Sequence, residues 1–153
     1  MPANITFDLN HDGIDDISIE YSSFTWDGRN TSGNGIDGKL APLNGSSILA
    51  INNEATLFLE KNDIVPREVE LPLDWTNSER DLVSVQTSYE NGQKWPDEWD
   101  VNRKNSMCDY LGVLIQKDKP FVGWVKIKIN ISSGEVLIID KEFTSGEYIV
   151  IDR

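Results

Sequence analysis

The chain has 153 residues, with 26 Asp and Glu against 14 Lys and Arg, for a net charge of −12. That excess of acid argues against nucleic acid or an anionic membrane surface as partner, since both need a basic footprint, and it favours cations. The length suits one domain over residues 1–153 with a sizeable core, and the lone Cys108, beside Met107 and Asp109, allows neither an internal disulfide nor a metal spacing. A buried or half-buried structural thiol is the expectation there. No stretch approaches the roughly 18 apolar residues of a membrane span.

Residues 4–8 and 16–22 are predicted strands, and the run between them, Asp8-Leu9-Asn10-His11-Asp12-Gly13-Ile14-Asp15-Asp16, carries the most chemistry. Asp8, Asn10 and Asp12 offer side-chain oxygens at alternate positions. Gly13 permits a sharp turn, Ile14 can present its carbonyl, and Asp16 closes the set. Oxygen donors at that spacing suit a hard cation, and calcium is the expected cofactor. His11, the chain's only histidine, falls on a spacer position and reads as a bystander. The loop departs from an EF-hand, because the twelfth position, where a bidentate Glu belongs, is Ile19. Instead Ile17, Ile19 and Tyr21 alternate with Ser18 and Glu20, so the loop enters a strand. Asp15 or Glu20, or a distant acidic loop, could supply a missing ligand.

In that respect the segment resembles the D-x-N-x-D-G-x-x-D loops of FG-GAP-like repeats and other extracellular bacterial β-proteins, whereas dockerin repeats with the same opening enter a helix. FG-GAP propellers need several copies and one is present, so the propeller does not carry over. Ligand sets of this kind are usually matched to the millimolar calcium outside cells. The expected location is therefore extracellular or at the cell surface. Pro2-Ala3-Asn4 runs straight into the first strand, so the expected export signal would have been removed ahead of this sequence.

Residues 27–45 are rich in Gly, Asn, Ser and Asp and read as a long irregular loop or a mobile hairpin tip. Residues 46–53 form an apolar strand candidate, 55–61 could be strand or short helix, and 82–88 make a further strand after a turn at Asn77-Ser78. In Lys94-Trp95-Pro96-Asp97-Glu98-Trp99-Asp100 two tryptophans stand among three carboxylates. Indole faces stack on sugar C–H faces while carboxylates accept hydroxyl donors, so Trp95 and Trp99 are the candidate residues for a glycan ligand. Trp26, Trp75 and Trp124 are expected to pack in the core or at an edge. Glu90, Asp97, Glu98 and Asp100 could in principle form a glycosidase pair. No strand signature organises them, and neither a Ser-His-Asp set nor a phosphate loop is present, so the chain is not read as an enzyme.

The last third is predicted as strand 110–116, turn 117–120 and return strand 121–129, a half-buried hairpin with Val125, Ile127 and Ile129 on one face and Trp124, Lys126 and Lys128 on the other. Strands 135–143 and 148–151 follow, with a turn at Ser132-Ser133-Gly134 leading in. Many short strands without a βαβ rhythm predict an all-β fold, an antiparallel β-sandwich or jelly roll with little helix. Tyr110-Leu111-Gly112-Val113 followed by Gly123-Trp124-Val125-Lys126-Ile127 resembles a Y-L-G-[VL]…G-W-[VI]-[KR] pattern in a group of secreted bacterial β-proteins that often open with such an acidic loop. The resemblance implies export or surface display and no settled activity. The combined expectation is an exported, calcium-binding, non-catalytic binding or surface-structural module, with a lectin-like role as the alternative and a glycoside hydrolase third. The expected partners are the calcium ion and a glycan or cell-surface protein.

Overall fold

The computed structural model describes residues 1–51, 55–94, 98–100, 108–116, 118–130 and 133–153. Its strands, in chain order, are β1 (Ile5–Phe7), β2 (Ile17–Asp27), β3 (Thr31–Pro42), β4 (Ser46–Ile51), β5 (Ala55–Thr56), β6 (Phe58–Leu59), β7 (Ile64–Pro66) and β8 (Leu73–Thr76). They continue as β9 (Arg80–Glu90), β10 (Gln93–Lys94), β11 (Glu98–Asp100), β12 (Cys108–Ile115), β13 (Phe121–Ile129), β14 (Val136–Thr144) and β15 (Tyr148–Val150). The described residues contain no helix, and the fold is all-β with antiparallel sheets, as in a β-sandwich. The first sheet runs β1-β2-β3-β9-β10, with β11 also on β9. The second runs β14-β13-β12-β4-β5, with β6 on β12 and β8 on β4, and one of the sheets curls into a half-barrel.

Alternation builds the shared core. Ile17, Ile19 and Tyr21 of β2 pack with Leu40 and Val83 against Val113, Ile115, Val125, Ile127 and Ile129 of the second sheet. A polar cross-link joins the layers where the Val136 N–H donates to the Tyr21 hydroxyl at 2.7 Å in a buried setting. A third layer covers the far side of the second sheet. There Leu49, Leu59, Tyr110, Leu114, Val122 and Trp124 are buried beneath Val65 and Ile151, and the small β7–β15 ribbon holds this cover in place.

Three expectations change. The Gly-rich region is no irregular loop, because β3 occupies residues 31–42 and pairs along its length with β2 on one side and β9 on the other. Its glycines are opposite aromatic residues, with Tyr21 on Gly38, Phe24 on Gly35 and Trp26 on Gly33. A Cβ on Gly33 would come within 2.2 Å of the Trp26 ring, so an indole laid across the strand requires glycine beneath it. Composition alone hides this, since it records the missing side chains of β3 but not the rings that fill their space. The tail hairpin is buried on both faces near its middle, with Trp124 at 0% exposure, because the third layer covers the side read as solvent-facing. Ser18 is also buried, at 4%, although it shares a face with exposed Glu20.

Residues 55–61 form two short strands, β5 and β6, with no helix. Strands β2 and β9 run longer than expected, and β7, β8, β10 and β11 were not foreseen. Trp75 is half-buried and its indole N–H donates to the Arg67 carbonyl at 2.9 Å.

Candidate functional site

The loop between β1 and β2 is closed at its neck. The Asp16 N–H donates to the Phe7 carbonyl at 2.8 Å, and the Asp16 carboxylate, on a residue with 0% exposure, accepts the Leu9 N–H at 2.8 Å. Leu9 is itself buried at 2% and belongs to the shared core, so a spacer position that sequence reading passed over is what staples the loop to the sandwich. From the other flank the Leu43 N–H donates to the Asp16 carbonyl, and the Asn44 side-chain amide donates to the Asp15 carbonyl, both at 2.8 Å.

Inside the neck, the side chains at alternate positions curl over the turn. The Asp8 carboxylate accepts the N–H groups of Asp12 at 3.1 Å and Gly13 at 2.7 Å. The Asn10 carbonyl oxygen accepts the Asp12 N–H at 3.1 Å, and the Asp12 carboxylate accepts the Ile14 N–H at 2.9 Å. The Asn10 amide donates to the second Asp12 oxygen at 3.0 Å, tying the two side chains together. His11 (φ 60°) and Gly13 (φ 86°) both take the left-handed conformation that lets the chain turn this tightly. Ile14 is 47% exposed, so its carbonyl belongs to an open part of the loop.

The structure therefore brings Asp8, Asn10 and Asp12 together and places Asp16 beneath them. Among the described residues no three carboxylate, imidazole or thiol side chains are gathered as a ready-made metal cage. A cation here would take its donors from Asp8, Asn10 and Asp12, the Ile14 carbonyl, Asp16 and water. Oxygens of this mixture, with several neutral or solvent donors, are of the hard type that calcium accepts. The only described cation in contact with the loop is the Lys141 ammonium, which donates to the Asp8 carbonyl at 3.4 Å.

Of the second candidate pair, Trp95 lies outside the described residues. Trp99 is in β11, whose backbone pairs with β9 at the edge of the first sheet, Trp99 standing opposite Val85. Among the carboxylates, Glu90 ends β9 opposite Gln93 and Thr31, Glu98 and Asp100 are in β11, and Asp97 lies outside the described residues. Cys108 begins β12, opposite Lys128. No described helix is long and apolar enough to cross a membrane. No family model, curated protein or solved structure matches the chain.

Proposed function

We propose that this chain is an exported, non-catalytic binding or surface-structural module whose β1–β2 loop binds calcium. The observation that carries the reading is the interlocked set Asp8, Asn10 and Asp12, whose oxygens are already turned in over the loop's own N–H groups. Asp8, Asp12, Asp15 and Asp16 crowd four negative charges into nine residues. A divalent cation would relieve their repulsion and so tighten the link between β1 and β2. In this reading Asp8, Asn10, Asp12, Ile14 through its carbonyl, and Asp16 hold the ion. The extracellular location follows from the match between such ligand sets and millimolar calcium, together with the resemblance of both ends of the chain to secreted β-proteins.

Calorimetric titration of calcium into EDTA-stripped protein tests this. One site per chain is expected, lost in Asp12→Ala. No heat of binding in the native protein would contradict it. A glycan-binding role for Trp95 and Trp99 is a second proposal, favoured by the position of β11 at the edge of the first sheet among the described residues. Retention on a glycan array that survives Trp99→Ala would remove that residue from the proposal.

A further inference from the structure

The acidic loop forms one wall of an open cleft of about 640 Å³, flanked by the β12–β13 turn and by β14. That volume lies in the range of small-ligand sites, which reach from roughly 300 to 1,000 Å³. Its lining combines three chemistries. Phe121 and Phe143, both half-buried against the shared core, supply an apolar surface. Phe143 reaches that position because its cross-strand neighbour is Gly123, where a Cβ would sit 2.3 Å from the ring. Lys119 and Lys141 supply positive charge, Asn10 and Asp12 supply acceptors from the loop, and Asp118 adds a further carboxylate acceptor from the β12–β13 turn.

The lysines are unusual in so acidic a chain. Among the described residues neither Lys119 nor Lys141 has a carboxylate within ion-pair distance, although Lys141 is half-buried. Glu142, which also lines the cleft, is instead held by Arg153 at 3.0 Å. An anion entering the cleft would therefore meet ammonium groups not already satisfied by acid, set beside an apolar surface.

We propose that this cleft binds an acidic sugar, a uronic acid with its carboxylate on Lys141 and Lys119. The apolar face of the ring would lie on Phe121 and Phe143, and hydroxyls would donate to the acceptors of the loop. A sugar suits the lining better than an acidic peptide, because the loop wall offers acceptors to hydroxyl donors beside an aromatic surface. The inference names a ligand for the binding module proposed above and rests on that reading, since calcium in the loop would also quench the Asp8 and Asp12 charges that repel a carboxylate.

The test is an amide NMR titration of the native chain and Lys141→Met, in calcium and in EDTA. The probes are methyl glucuronide, methyl glucoside and a glutamate-containing tetrapeptide. Saturable glucuronide shifts are expected at residues 10–12, 118–121 and 141–143 in calcium. Affinity should fall at least tenfold for the glucoside and for the native chain's glucuronide in EDTA, and a similar loss is expected for glucuronide with Lys141→Met. Equal binding of glucuronide and glucoside, preference for the peptide, or shifts mapping to residues 98–100 would each overturn the proposal. Calcium added alone reads the loop independently. Shifts at residues 8–16 with no response to glucuronide would sink only the sugar site, whereas no calcium shifts would sink the calcium reading itself.

Discussion

Trp26 and Trp124 both point away from the shared core, each on the opposite face of its strand from the apolar residues that meet between the sheets, yet their surroundings differ completely. Trp124 is 0% exposed beneath the third layer, edge-on to Tyr110 at 5.6 Å and with the Arg153 guanidinium 5.3 Å from its ring centre. Trp26 is only half-buried, stacked with Phe24 at 6.0 Å over the glycines of β3. The comparison teaches that alternation along a strand decides which residues share a face, while the layers packed on that face decide whether it is core. Among the described residues, the second sheet has two cores, whereas the first has one core and a half-buried aromatic pair on its other face.

The sharpest way to break this comparison is to truncate both indoles. Trp124→Ala should cost about 3–5 kcal/mol in urea denaturation, as for a buried aromatic in a packed core. Trp26→Ala should cost about 1 kcal/mol or less, because much of its site is open to solvent. Equal losses would show that the outer face of the first sheet is covered as well.

Glycine substitutions come next. In Gly123→Ala the added methyl meets the Glu142 carbonyl oxygen at 2.2 Å as well as the Phe143 ring. In Gly33→Ala the nearest atoms belong to the half-buried indole of Trp26, although the Thr87 carbonyl oxygen is also close, at 2.5 Å. Both should destabilise by about 1–3 kcal/mol, with Gly123→Ala the larger. The reverse order would mean that the Trp26 ring is held more tightly than Phe143.

A smaller and pH-dependent effect is expected at the cross-link between the layers. Burial pushes the Tyr21 phenol above its ordinary pKa and the Glu135 carboxylate adds to the rise, while the Val136 N–H bonded to its oxygen works against it. The unfolded chain therefore loses this proton first, so the phenol's contribution is intact below about pH 10 and declines as pH rises through the folded-state ionisation. Tyr21→Phe should leave the Val136 N–H without its acceptor, at a cost of about 1–3 kcal/mol near neutral pH, and should make the alkaline fall in stability shallower. An unchanged alkaline limb would assign that fall to other groups.

The strand character of both ends was legible because alternation there coincides with burial, as in Ile17, Ile19 and Tyr21 and in Val125, Ile127 and Ile129. The loop's donor residues were legible because the spacing Asp8, Asn10, Asp12 is local, and local hydrogen bonds realise it. What escaped depends on distant partners. Strand β3 looks like a loop until the rings of β2 are laid on its glycines, and the second face of the tail hairpin looks solvent-facing until Val65 and Ile151 arrive from elsewhere in the chain, although Trp124 itself was expected in the core or at an edge. The role of Leu9 was hidden for the same reason, since a spacer in a ligand pattern becomes an anchor only when the core is assembled. The cleft needed three separate segments to converge, which no single stretch of sequence records.

In the proposed function, calcium fastens the loop that joins β1 to β2. Thermal unfolding in EDTA and in millimolar calcium, for the native chain and Asp12→Ala, tests it most directly. At a calcium concentration about a hundredfold above the dissociation constant, binding adds about 2.7 kcal/mol. For a chain of this size that should raise the native midpoint by roughly 5–10 °C. The mutant should unfold at the same temperature in both solutions. A native midpoint that does not move with calcium would contradict the account.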